Sequence, residues 1–197
     1  NGYRGDSETY DDGDNANLLQ VIDRHKGLPV ALGILCIHVA RAWGSVIDGT
    51  AFPSHFLLRL IEGDEFLYLD PFDSLRVMDD AAVQALFVQM HGSAARFDQA
   101  YLQPVSDRAV LLRLQNNIKL RAYQAGEIKR ALQVAERMVM LAPALGELRL
   151  SVAGLLAEAG MIRSAMTTLE AVSNDSGHER LHAEAQKRLL SLRSRLN

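Results

Sequence analysis

A chain of 197 residues, 48% hydrophobic and 23% charged, has the composition of an ordinary soluble protein with room for one large core or two small ones. Its net charge of −3 supplies no basic field, which excludes nucleic acid and anionic membrane as expected partners. The single cysteine, Cys36, excludes an internal disulfide and fits a reducing, cytoplasmic setting.

Residues 1–17, polar and acidic, read as an irregular entry. The chain begins at Asn1 rather than Met, and an N-terminal portion is expected to precede it. An EF-hand reading of Asp12, Asp14 and Asp23 fails on position, because Ala16 stands where a ligand is needed and Asn17 where the turn glycine belongs. Apolar residues at 18, 19, 21 and 22 predict a helix over 17–26 that Gly27 ends. Pro29 then suits the first position of a second helix, since its missing N–H would be an orphan there. That helix runs to Trp43 and stops at Gly44. It is apolar nearly all round yet too short to span a bilayer, so it belongs at the centre of a domain.

Strand signals follow in "SVIDGTAF", "HFLLRLI" and "FLYLD", the last two flanking the turn 62–65. If Ile61 pairs with Phe66, the numbers of opposed residues sum to 127 and His55 lies opposite Phe72. Asp70 is then the diagonal neighbour of His55 on the same face, close enough for the side chains to meet. A carboxylate so placed orients an imidazole and favours its charged form.

A helix over 79–92, with Asp79 as cap and Gly92 as stop, leads to the second half. There Ala125, Gly126 and Ala131 recur as Ala159, Gly160 and Ala165, each 34 residues on. That period is the tetratricopeptide one, and Pro143 falls where the repeat ends. Gln115 replaces the usual aromatic of the first helix. Two repeats and a last helix over 178–196 are few for a freestanding array, so the repeats are expected to pack on the first half. His178 and His182 share a helix face without a third ligand, and no metal or cofactor is expected.

Three separated stretches carry a family resemblance: Asn17 to Arg24 with Gly27-Leu28-Pro29, then Phe52-Pro53-Ser54-His55-Phe56, then Leu69-Asp70-Pro71-Phe72. In order and spacing they resemble the SirB-type family of bacterial transglutaminase-like proteins, with Ser54 in place of that family's Gly and Ala16 in place of its Ser. The resemblance covers about residues 1–105. It implies an α+β transglutaminase-like half of papain-like cysteine-protease type at 1–105, followed by an all-α tetratricopeptide-like half at 106–197. Enzymes similar to this pattern carry a nucleophilic Cys at the start of the central helix and bring up His and Asp on two strands. Matched from Gly27 to Gly44 without a gap, the nucleophile's place is Pro29, the His is His55 and the Asp is Asp70.

Proline has no thiol, so thiol acyl transfer from position 29 is chemically excluded. Cys36 lies seven residues further on, about 10 Å along the helix, in an apolar segment that disfavours its thiolate. The resulting expectation is a non-catalytic scaffold or regulatory protein that binds a protein or peptide partner, its oligomeric state open. The alternative is a hydrolase or acyltransferase with a site rebuilt around His55 and Asp70, using Ser54, an outside thiol or an activated water.

Overall fold

The computed structural model describes residues 2–63, 65–174 and 178–194. Asp64 of the expected turn and residues 195 and 196 of the last helix lie outside them. The chain opens with β1 (Arg4–Gly5), a 3-10 turn at Gly13–Ala16 and α1 (Leu18–Arg24), whose first turn is capped by the Asn17 side chain. α1 ends earlier than the glycine signal suggests. His25 itself adopts the left-handed conformation, at φ 55°. Gly27 instead sits in β2 (Lys26–Gly27), paired in parallel with β1, where a Cβ would collide with Val21. The glycine serves close packing rather than helix termination.

α2 (Pro29–Ala42) begins with proline at its first position and no side-chain cap. It ends at Gly44, φ 85°, with Gly44 N donating to Arg41 O (3.0 Å) and Ser45 N to Ala40 O (3.0 Å), a Schellman motif. Next come β3 (Val46–Thr50), β4 (Leu58–Glu62), β5 (Glu65–Asp70) and β6 (Arg76–Met78), then α3 (Asp80–His91) capped by Asp79, and β7 (Pro104–Val105). The five strands form one sheet in the order β6-β5-β4-β3-β7, and every pairing is antiparallel. Ile61 pairs with Phe66 as the turn requires, but β4 starts at Leu58, so His55 lies in the bend that precedes it rather than in the strand. One face, with buried Ile47 and Leu58, receives α2 at Gly33. On the opposite face Leu57 and Met78 pack with Phe52, Leu102 and the α3 residues Val83 and Phe87.

Five helices complete the chain: α4 (Asp107–Gln124), α5 (Ile128–Leu141), α6 (Gly146–Glu158), α7 (Ile162–Asn174) and α8 (Glu179–Ser194). The turns after α4 and α6 are copies of one another. Gly126 and Gly160 have φ 74° and 77°. Glu127 N donates to Ala122 O (2.8 Å) and Met161 N to Leu156 O (2.9 Å), while Gly126 and Gly160 donate to Tyr123 O and Ala157 O. Ala131 and Ala165 are both fully buried, so the 34-residue sequence period is a period of backbone geometry and of packing. Around them Leu132, Ala135, Ala153, Leu169, Ala185 and Leu189 make the helical core.

The chain forms two compact units, residues 1–114 and 115–197, and the division falls inside α4. Among the described residues, no helix is long and apolar enough to cross a membrane.

Candidate functional site

His55 is delivered to the sheet by its neighbours. Ser54 before it takes a left-handed φ of 59°, which turns the chain inward. Phe56 after it is 1% exposed and fills space that glycines leave open, since a Cβ on Gly33 or on Gly49 would overlap its ring. Leu57 O then accepts from both the amide (3.0 Å) and the hydroxyl (3.1 Å) of Thr50, which starts the strand. The imidazole is left 6% exposed at the mouth of β4.

Asp70 closes β5 and is 4% exposed. Its Oδ1 lies 2.9 Å from His55 Nε2 and also accepts from Phe72 N (2.9 Å) and Asp73 N (3.4 Å). An oxygen that takes two amide protons is an acceptor, so Nε2 carries the proton toward Asp70. In the neutral ring Nδ1 is then the nitrogen with the free lone pair, and among the described residues no hydrogen-bond partner of it is found. The Asp70 carbonyl accepts from Leu75 N (2.8 Å), closing a turn in which Ser74 and Leu75 are both left-handed. Asp70 thus holds the imidazole and its own loop with one carboxylate.

Phe72 stands edge-on to the imidazole, 5.9 Å between ring centres, and Tyr10 meets Phe72 at the same separation. Gly5 N donates to Phe72 O at 2.7 Å, so the N-terminal segment runs against the site. That segment is tied at Asp6, buried, which accepts from Thr9 N (3.0 Å), Thr9 Oγ1 (2.7 Å) and Arg24 Nη2 (3.0 Å). The amide and hydroxyl of Thr9 lower the Asp6 pKa from 3.8 to about 2 against the opposing effect of burial. Asp12 and Asp14 face the same Arg24 at 3.6 and 3.9 Å, so the acidic entry is a counter-charge for α1.

Pro29 is buried at the first position of α2. The helix touches the His55 segment through Gly33, one turn further on, against the Phe56 ring. Cys36 is half-buried and burial pushes its thiol pKa up. Ser54 is exposed. His182 turns its Nδ1 to Ser173 O at 2.7 Å, so it serves the join of α7 and α8.

Residues that sequence reasoning passed over complete the site: Phe72, Tyr10 and Arg113. The sequence marks Phe72 only as the residue opposite His55 in a register extended from the turn; the observed pairing stops at Leu58 and Leu69, and Phe72 meets the imidazole from the loop after β5. Arg113 Nη2 donates to the His55 carbonyl from α4, and nothing in the sequence links positions 58 apart.

An antiparallel sheet with a helix on its face and a buried His–Asp pair at the ends of two adjacent strands defines an α+β domain of transglutaminase-like class. The chain belongs to the transglutaminase-like superfamily, whose family model matches residues 1–116. It is similar to a UPF0162 protein of Xylella fastidiosa, 34% identical over 145 residues, which is 72% of this chain and 52% of that protein. A UPF0162 protein of Vibrio cholerae is 35% identical over 111 residues, 56% of this chain and 41% of the relative. F-box only protein 21 of Mus musculus is 36% identical over 75 residues, 38% of this chain and 12% of the relative. The chain therefore spans about half the length of the bacterial relatives. No solved structure matches it significantly.

Proposed function

We propose that this chain is a non-catalytic member of its superfamily, a scaffold or regulatory protein of the SirB-type branch that binds a protein or peptide partner in the cytoplasm. The observation that carries this reading is Pro29, buried at the start of α2, where the resembling enzymes place their nucleophilic Cys. A thiol enzyme needs its sulfur as thiolate, which a helix N-terminus and a nearby imidazole favour. The one thiol of this chain, Cys36, is two turns along, and its surroundings favour the neutral form. The His–Asp pair remains useful without it. The Nδ1 of His55, on a ring that Phe72 meets edge-on with Tyr10 beyond it, suits a hydrogen bond to a peptide's amide or carboxyl group. The repeated turns after α4 and α6 support tetratricopeptide-like repeats in the region from 106, a helical surface of a kind that takes peptides.

The second reading, a hydrolase or acyltransferase rebuilt around His55 and Asp70, is favoured by one feature, an oriented imidazole whose Nδ1 is available as a base. Assays of amine incorporation and amide hydrolysis on the purified protein, with and without iodoacetamide, separate the two. The expected result is background rates in both, unchanged by alkylation and unchanged in His55→Ala. Activity lost on alkylation, or in a folded Cys36→Ala, overturns the proposal. Activity that survives alkylation but is lost in His55→Ala establishes the rebuilt hydrolase instead.

A further inference from the structure

Arg113 reaches the site from the first half of α4, through its donation to the His55 carbonyl. Its guanidinium carbon stands 5.5 Å from the centre of the Phe56 ring. The peptide between His55 and Phe56 is therefore fixed twice. Arg113 holds its oxygen, and the Phe56 ring is seated where Gly33 of α2 and Gly49 of β3 leave room. Val110, one turn before Arg113 on α4, closes against Gly49 and is 3% exposed. Local preference does not hold this path, because Ser54 is in a left-handed conformation that side chains other than glycine's disfavour. A charged donor on a carbonyl is the stronger sort of hydrogen bond, and the Arg113 guanidinium, its pKa lowered by burial, has been drawn away from water to make it.

We propose that Arg113 is the positioning residue of the site: by gripping the His55 carbonyl it sets the imidazole against Asp70. Arg113, Val110, His55 and Asp70 all belong to the first compact unit, so the positioning is internal to it. The inference deepens the reading of His55 as the ligand-facing residue. Its test observes the imidazole itself, so its failure is distinct from a failure to find a ligand.

The test is nitrogen-15 NMR of the full chain, comparing the parent with Arg113→Met, Arg113→Lys and Val110→Ala. In the parent, the Nε2 proton of His55, held on Asp70, is expected to exchange slowly with solvent. In Arg113→Met, that exchange is expected to accelerate about tenfold or more, as loss of a hydrogen bond from a charged donor implies. The backbone amides of α5 to α8 keep their shifts. Arg113→Lys, which keeps the charge and the ability to donate but not the planar fork, is expected to recover part of the protection. Val110→Ala loses buried packing on the same helix without touching the carbonyl, and is expected to lower stability while leaving the exchange slow. Parent-like exchange in Arg113→Met, or equal acceleration in Val110→Ala, overturns the proposal. Should Arg113→Met not fold, Arg113→Leu, which likewise has no donor, takes its place under the same two criteria.

Discussion

Ser54 occupies a left-handed backbone position, φ 59°, one residue before the buried imidazole. A side chain there strains against the backbone, while glycine does not. Ser54→Gly is expected to raise stability by about 0.5–1 kcal/mol, seen as a higher denaturant midpoint with unchanged slope. A lower midpoint would mean that the serine hydroxyl contributes more than the strain costs. Asp6 sets a pH dependence. Its pKa is about 2 in the fold against 3.8 for an ordinary aspartate, so the folded state binds fewer protons. Its contribution is complete above about pH 4 and is lost as pH falls toward about 2. Asp6→Asn is expected to cost about 1–3 kcal/mol at pH 7, with the gap from the parent closing through that window. A gap that stays constant down to pH 2 would refute the assignment. At this scale the sequence was legible where strand pairing turns positions into neighbours. The register sum of 127 holds from the pair of Leu58 with Leu69 to that of Glu62 with Glu65, and extending it pointed to the contact that His55 makes with Asp70 from the loop before β4. Arg113 was not legible, because a side chain donating to a carbonyl leaves no residue-type signal at the acceptor.

Among the elements, the helical turns are the most strictly written. Gly126 and Gly160 each close a Schellman motif at positive φ, where alanine is strained, so either Gly→Ala change is expected to cost about 1 kcal/mol. Gly154 is the contrasting case. It lies inside α6 with open space around a Cβ, and Gly154→Ala is expected to stabilise by about 0.5–1 kcal/mol. Thermal melts of the three variants check both signs at once, and destabilisation by Gly154→Ala would contradict the packing described for α6. Helices with strong caps, such as α3 behind Asp79, were readable to within a residue. β6 and β7, three and two residues long, were not, since so few positions cannot display alternation. α1 misled for a different reason: a glycine required by the contact with Val21 stood where a stop signal would stand, while His25 made the turn.

For the whole molecule, the decisive element is α4. Val110 and Leu114, 3% and 4% exposed, belong to the first unit's interior, and Ala122 to the helical core. A first-half fragment cut at residue 106 loses Val110, Arg113 and Leu114 together, and is expected to melt without a cooperative transition. A fragment ending at 125 keeps the whole helix and is expected to melt cooperatively. Equal cooperativity of the two fragments, by calorimetry, would show that α4 contributes nothing to the first unit. The helical character of the second half was announced by the 34-residue recurrence of Ala125, Gly126 and Ala131. That both halves share one helix was not, because an amphipathic sequence does not say which core each turn serves.

The matched turns at Gly126 and Gly160 also make this chain a countable object. Because both turns share one hydrogen-bond pattern at one spacing, the interval of 34 residues is a unit of length that a duplication can add without disturbing phase. An in-frame copy of 34 residues inserted at Pro143, in the connection between α5 and α6, keeps the buried alanines at whole multiples of the interval that separates Ala131 from Ala165. Helical reach in this protein can therefore grow by whole steps, and replication slippage of the right length would lengthen it in a single event.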